Sequence, residues 1–132
     1  MNLKDYQKIC QQTAKKFKDK NLEIATWGLG VSGEAGDIAS CIKKYYAHQN
    51  KEVKDGIKEN IGDMLWYTAM VCNHFGWQLD EILDNNYQKL KDRYPKGFSL
   101  KQAKRKMVKW SGNSLTMLGT KKEIKKLKAN KK

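Results

Sequence analysis

The sequence is poor in proline, has few cysteines and contains no long hydrophobic run. Pro95 is the only proline, and alternating β-branched residues are scarce, which favours helices along the whole chain. No apolar segment approaches the ~20 residues that a membrane-spanning helix needs. The first residues also lack the apolar core of a secretory signal. We therefore expect a cytoplasmic protein that does not enter a membrane.

The cysteines are odd in number and far apart along the chain. Cys10, Cys41 and Cys72 form neither the pattern of a disulfide framework nor the paired CxxC ligands of a zinc site. We expect three small reduced thiols buried within helices.

Positive charge is concentrated at the C-terminal end of the sequence. Of the net charge of +13, residues 99–132 carry +11, because twelve Lys and Arg residues face only Glu123 there. We predict a domain over residues 1–98 and a basic extension over 99–132 that is partly helical or disordered. Such an extension is suited to hold nucleic acid phosphates without sequence specificity. A solubilising tail and an oligomer contact are the alternatives.

Apolar spacing predicts four helices, at about 3–17, 22–48, 52–75 and 79–93. Asn2 and Asn21 are the expected N-caps of the first two helices, and Gly76 is the expected C-cap of the third. Short connections between long helices predict an all-α, antiparallel bundle of about four helices. A weaker pattern predicts a basic amphipathic helix over 100–110.

The third predicted helix has one broad apolar sector, which we assign as its main core face. The sector contains Ile57, Ile61, Met64, Leu65, Thr68, Val71, Cys72 and Phe75. Asp63 lies at its flank, with Asn60 at i−3, Tyr67 at i+4 and Glu59 at i−4. All three neighbours are within reach of the same point in space.

The second predicted helix places a carboxylate in the middle of an apolar stripe. Glu34 shares this face with Trp27, Gly30, Val31, Ile38, Cys41 and Tyr45, and Asp37 lies at the edge. An unpaired buried carboxylate costs several kcal/mol, so a partner is required. The partner is either Lys89 or Arg93 of the fourth helix, or a metal ion held by oxygen ligands. Carboxylates without paired histidines favour Mg²⁺, with Mn²⁺ as the alternative, over zinc or iron.

The second helix also contains glycines that each cost ~1 kcal/mol relative to alanine. They are Gly28, Gly30, Gly33 and Gly36. Either this segment is a loop, or side chains are excluded so that a helix or ligand can approach closely. The unbroken apolar stripe favours close approach.

Two segments carry a family resemblance: GLGVSGEAGDIASCIKK, and KENIGDMLWYTAMVCNHFGWQLDEILDNNYQKLKDRYPKGFS. Together they resemble the MazG-like all-α nucleotide pyrophosphohydrolases, in particular the short single-domain members found in phages and bacteria. The resemblance implies Mg²⁺-dependent hydrolysis of a ribo- or deoxyribonucleoside triphosphate to the monophosphate and pyrophosphate. It also implies assembly into a homodimer or homotetramer.

The resemblance also implies roles for individual residues. Those matching the metal-binding positions are Glu34, Asp37, Asn60 and Asp63. Those implied in catalysis are Asp63 and, to orient the attacking water, Glu34 or Glu59. Those implied in substrate binding are Asn86, Lys89 and Arg93 at the phosphates. Trp27 and Tyr67 lie on the same helix faces as the acids and are candidates to stack on the base. For the two aromatic residues, an ordinary place in the core is the alternative.

Two positions depart from the family pattern. Asp37 stands where the family more often has Glu, and Asn60 stands where the second acidic motif has its Glu. The Asn60 amide can still bind a cation through its oxygen, but it brings no negative charge, and Glu59 is a candidate to replace it. The alternative function is therefore a catalytically weakened bundle that acts as a binding protein, of nucleic acid through its basic tail.

Overall fold

A computed structural model describes residues 1–104, and most of this part of the chain is helical. The helices are α1 (Leu3–Thr13), α2 (Lys20–Ala47), α3 (Lys54–Phe75), α4 (Leu79–Arg93) and α5 (Leu100–Ala103), with one 3-10 turn at Lys51–Val53. No strand element occurs within these residues, so the predicted all-α class is confirmed. None of their helices combines the length and the apolarity needed to cross a membrane.

Local sequence signals set most helix ends. The Asn2 side chain caps α1 by accepting the Asp5 amide at 2.9 Å. Gly76 ends α3 in the left-handed conformation, as predicted, with a φ of 69°. The predicted cap of α2 was wrong, because Asp19 accepts the amides of the next turn and Asn21 lies inside the helix.

The first helix is shorter than predicted. It ends at Thr13, and Ala14 is already extended. The connection that follows brings Phe17 edge-on against Trp27 of α2, with ring centroids 5.3 Å apart. Four additional helical residues in α1 were therefore a wrong prediction, since this segment instead carries an aromatic side chain to the core.

Helix α3 runs antiparallel to both α1 and α2. Against α2, its contacts descend in register from Asn60 with Cys41 to His74 with Glu23. Against α1, the Trp66 indole donates to the Thr13 hydroxyl at 2.9 Å. The pairing of α2 with α3 confirms the antiparallel arrangement that short connections predicted. Because α1 and α2 both run antiparallel to α3, these two helices run in the same direction as each other.

The core lies where the three helices meet. Its most buried hydrophobic residues are Cys10, Trp27, Ala69, Met70, Cys72 and Leu79. The predicted core face of α3 was right only in part: Cys72 is buried in the core, but Ile61, Leu65 and Phe75 remain 41%, 46% and 49% exposed. Helix α3 carries apolar residues on more than one side. The side that packs within the chain lies next to the predicted sector.

A buried glutamine joins α1 to the turn between α3 and α4. The Gln7 amide donates to Asn73 at 2.9 Å and to the Trp77 carbonyl at 2.8 Å. Its oxygen accepts the Leu79 amide at 2.9 Å, and Asn73 donates back to the Gln7 carbonyl at 3.0 Å. Gln7 therefore fixes the start of α4 although it lies more than 60 residues away in sequence.

The chain divides into two compact units, Met1–Leu90 and Lys91–Lys132, and only residues 91–104 of the second are described. In the first unit, residues 81–90 of α4 are all exposed. The second unit begins with the last turn of α4 and includes α5. Most of the predicted helix over 100–110 and of the extension over 99–132 lies outside the described residues, and the predicted boundary at 98 stays a prediction.

Candidate functional site

The predicted stripe of α2 is the face that packs against the rest of the first unit. Trp27 is buried and the other stripe residues are all at least partly buried, whereas Asp37 at the edge is exposed. Glu34 is among the partly buried ones. The expectation of a carboxylate within an apolar interface is therefore confirmed.

Three carboxylates from two helices act on Glu34. The pKa of Glu34 is raised above its usual range, first by burial and then by the negative charges of Asp63, Asp37 and Glu59. Nearby like charges raise the pKa of a carboxyl group in this way. We call Glu34, Asp37, Glu59 and Asp63, which lie on α2 and α3, the acidic cluster.

No basic side chain neutralises the acidic cluster within residues 1–104. The ion pairs found there join Lys4 to Asp80, Lys20 and His74 to Glu23, and Lys58 to Asp55. None includes a member of the cluster. In the described part of the chain, the ion-pair explanation for Glu34 is therefore not observed.

The acidic cluster has suitable donors for a divalent cation but is not a closed cage. Among residues 1–104, no group of three or more His, Cys, Asp or Glu side chains is placed to hold a metal ion together. Its donors are carboxylate oxygens, which Mg²⁺ prefers, and their mutual repulsion is of the kind that a cation relieves. The chemistry of the site fits Mg²⁺, and binding requires the side chains to draw together.

Asn60, the unusual residue of the second acidic motif, contacts a thiol. Its Nδ2 lies 3.7 Å from the Sγ of Cys41 on α2. Cys41 follows Asp37 by one helical turn, so this contact lies directly beside the acidic cluster. All three cysteines are free; Cys10 and Cys72 are buried as expected, but Cys41 is only partly buried.

The aromatic candidates Trp27 and Tyr67 lie together in the interior. Their ring centroids are 6.2 Å apart, and each also packs against Trp66. Trp27 is only 4% exposed. The structure therefore explains both rings as packing residues, and their contact with a base stays a prediction.

One of the four α2 glycines is explained by packing. A Cβ at Gly30 would collide with the Tyr67 ring, whereas Cβ atoms at Gly28, Gly33 and Gly36 would meet nothing within 4 Å. The prediction of close helix approach is confirmed at Gly30. At the other three positions, no contact in the described chain requires glycine.

The predicted phosphate-binding residues occupy α4. Asn86 and Lys89 are exposed on the first unit. Arg93 belongs to the second unit, where it donates to the Ala103 carbonyl at 3.1 Å. Their contacts with a substrate remain predictions.

Tyr6 of α1 is a neighbour of the site that the sequence did not reveal. Its pKa is raised to about 12 by burial, by the Cys10 thiol and by the charge of Asp63. Periodicity placed Tyr6 on the apolar face of α1, but only the packing of α1 on α3 brings it near Asp63.

A separate pocket of about 390 Å³ opens between α1, α2 and the end of α3. Its lining includes Glu23, whose carboxylate lies 2.7 Å from Lys20 and 3.0 Å from His74. These two partners hold the pKa of Glu23 below its usual range. No sequence pattern indicated the pairing of Glu23 with His74.

Comparison with known proteins shows a family match that covers the helices of this site. The profile of the MazG nucleotide pyrophosphohydrolase domain matches residues 23–98, more than half of the chain. The Gene 37 protein of Mycobacterium phage L5 is 32% identical over 73 residues, which cover 52% of this chain and 64% of that protein. The match thus spans less than two thirds of this relative. No solved structure matches significantly.

Proposed function

The chain belongs to the MazG nucleotide pyrophosphohydrolase family, and we propose that it hydrolyses nucleoside triphosphates to the monophosphate and pyrophosphate with Mg²⁺ in the cytoplasm. The observation that carries this proposal is the acidic cluster. Its four carboxylates come from the two helices that the family match covers, and no basic residue of the described chain neutralises them. Such a cluster favours a cation together with an anionic substrate.

In this proposal, Glu34, Asp37, Asn60 and Asp63 hold the cation. When bound, Mg²⁺, or Mn²⁺ in its place, neutralises phosphate charge and makes a water molecule a better nucleophile. Glu34 or Glu59 orients the water that attacks the α-phosphorus, and pyrophosphate leaves. The raised pKa of Glu34 suits this role, because a carboxylate with a higher pKa is a stronger base.

We assign the remaining substrate contacts by type of side chain. Asn86, Lys89 and Arg93 are assigned to the phosphates because they match the family's substrate-facing positions and can donate hydrogen bonds to phosphate oxygens. Trp27 and Tyr67 are assigned to the base, although Trp27 would have to expose more of its ring than the present 4%.

We further propose that the protein is a homodimer or homotetramer. The first unit leaves many large apolar side chains at its surface, on both α3 and α4. They include Ile61, Leu65, Phe75, Trp77, Ile82, Leu83, Tyr87 and Leu90, each at least 40% exposed. A surface this apolar is typical of an interface, and a second copy would bury it.

The alternative is a binding protein that has lost catalysis, and Asn60 is the observation that favours it. Replacing a carboxylate by an amide removes one negative charge from the cation site and weakens its hold on Mg²⁺. In this case the charge of residues 99–132 would carry the function by binding nucleic acid.

One experiment separates the two functions. Purified protein is incubated with ribo- and deoxyribonucleoside triphosphates and Mg²⁺, and the products are analysed for monophosphate and pyrophosphate. We expect both products in equal amounts and none after chelation of the metal. Release of orthophosphate, or no turnover together with salt-dependent binding of nucleic acid, would contradict the hydrolase proposal.

A further inference from the structure

Cys41 of α2 contacts Asn60 of α3, the residue that stands where the second acidic motif of the family has a glutamate. Cys41 lies on the same α2 face as Glu34, at i+7, and Asn60 precedes Asp63 by three residues on α3. Both side chains are partly buried. The contact therefore lies within the interface between α2 and α3 rather than at the open surface.

The thiol lies at the interface between α2 and α3. Its Sγ is within 3.7 Å of the Asn60 Nδ2. One turn earlier on α3, a Cβ built on Gly56 would lie 3.5 Å from the same sulfur, at ordinary van der Waals distance. The sulfur is therefore close to two successive turns of α3, and Asn60 is its polar contact there.

An amide has two chemically different ends, and only the oxygen binds a cation. With Nδ2 turned toward Cys41, the Asn60 Oδ1 is turned away from it. Within residues 1–104 this oxygen accepts no hydrogen bond, since the Nδ2 contact is the only side-chain hydrogen bond of Asn60. The oxygen is therefore available as a ligand.

We propose that Cys41 is a positioning residue, which holds the Asn60 amide so that its oxygen serves the cation site. The inference rests on the proposed function, because it assumes that the acidic cluster binds a divalent cation. Cys41 itself does not touch the cation. A carboxylate at position 60 would need no such partner, since its two ends are equivalent.

The test measures Mn²⁺ affinity without nucleotide, by the electron paramagnetic resonance signal of free Mn²⁺. We expect C41A to weaken binding about tenfold, as loss of a ligand-orienting partner commonly does. C41S keeps a hydrogen-bond acceptor and should stay within about twofold of the unchanged protein. Circular dichroism confirms that each variant is folded, and C41V, which removes the acceptor but fills the space, replaces C41A if that variant does not fold.

The decisive comparison repeats the cysteine change in an N60D background. If Cys41 acts by orienting the amide, C41A should have little effect there, because either oxygen of the introduced carboxylate can face the cation. Equal losses in both backgrounds would show a packing role only and overturn the inference.

The remaining outcomes separate this inference from the function on which it depends. A protein that binds Mn²⁺ and releases pyrophosphate, but whose affinity is unchanged by C41A and C41V, would overturn the role of Cys41 alone. A protein that binds no Mn²⁺ at millimolar concentration and hydrolyses nothing would overturn both.

Discussion

Gly30 of α2 faces the ring of Tyr67 of α3 across the interface between these two helices. A Cβ at position 30 would overlap three atoms of the tyrosine ring, including Cγ. Because Cγ is attached directly to the Tyr67 Cβ, a rotation of the ring cannot relieve the collision. The two helices would have to separate, and they carry the acidic cluster.

We therefore expect G30A to lower the free energy of unfolding by about 1–3 kcal/mol through overpacking. The matched control is G28A on the same helix, where a Cβ would meet nothing within 4 Å. That change should be neutral or stabilising by up to about 1 kcal/mol, because alanine favours helix. Urea unfolding of both variants measures the difference, and equal effects would contradict the packing argument.

The assignment of Asp63 predicts a large loss of turnover on a conservative change. D63N removes one negative charge from the acidic cluster, and we expect pyrophosphate release to fall by roughly 100-fold or more. The helical circular dichroism spectrum should not change. D55N makes the same substitution on α3 at an exposed ion pair and should leave the rate within about twofold. Full activity of D63N would remove the site assignment.

The raised pKa of Glu34 predicts that ionisation of this side chain lowers the free energy of unfolding as the pH rises. Its folded-state pKa lies above the unfolded value, so its contribution to stability is greatest at low pH and is lost as the pH rises through the folded-state pKa. Without divalent cations, E34Q should therefore unfold with a higher free energy than the unchanged protein at about pH 7, and the gap should close near about pH 4.

Urea unfolding at these two pH values, in the presence of a chelator, measures the effect of E34Q. E52Q at an exposed position serves as its control and should show no such gain. If E34Q were instead less stable than the unchanged protein at neutral pH, the folded protein would stabilise the Glu34 charge. This result would contradict the conclusion that no positive charge neutralises the acidic cluster.

Gln7 predicts a stability effect far from the acidic cluster. Q7M keeps the side-chain length but leaves the Leu79 amide and the Trp77 carbonyl without their partner. We expect a loss of about 1–3 kcal/mol, the usual cost of an unpaired buried polar group. Q12M, at an exposed position of the same helix, should change stability by less than about 0.5 kcal/mol.

The exposed apolar residues predict a concentration-dependent assembly. Sedimentation equilibrium should give twice or four times the 15.3 kDa of one chain. L83K places a charge within the exposed apolar surface of α4 and should shift the protein toward the monomer. D84N, which also raises the net charge by one at the next exposed position, controls for net charge. A monomeric protein at micromolar concentration would contradict the proposal.

Much of the secondary structure was readable from local signals. Gly76 ended α3 where a left-handed cap was expected, and residues 79–93 formed α4 as predicted. One error occurred where two nearby residues could both serve as the N-cap of α2. Asn21 was predicted, but Asp19 is the cap. Both residue types cap helices about equally well, so the sequence alone did not decide between Asp19 and Asn21.

The buried face of α3 was predicted less well. Periodicity shows which side of a helix is apolar, but it does not show which other helix covers that side. Ile61 and Leu65 belong to a regular apolar sector, yet they face outward in the single chain. Residues such as Ala69 and Met70, in a neighbouring sector, are the ones buried by α1 and α2. When a helix is apolar on two faces, its sequence alone does not show which face is buried within its own chain.

The sequence by itself determined the all-helical class, the apolar stripe of α2 and the presence of Glu34 within it, because these depend on residue types at fixed spacing along one helix. Only the tertiary structure decided which groups meet across helices. It brought Asp63 and Glu59 near Glu34, Cys41 to Asn60 and Tyr67 to Gly30. Such pairings depend on the register between helices, and register is set by the packing of whole faces rather than by any local pattern.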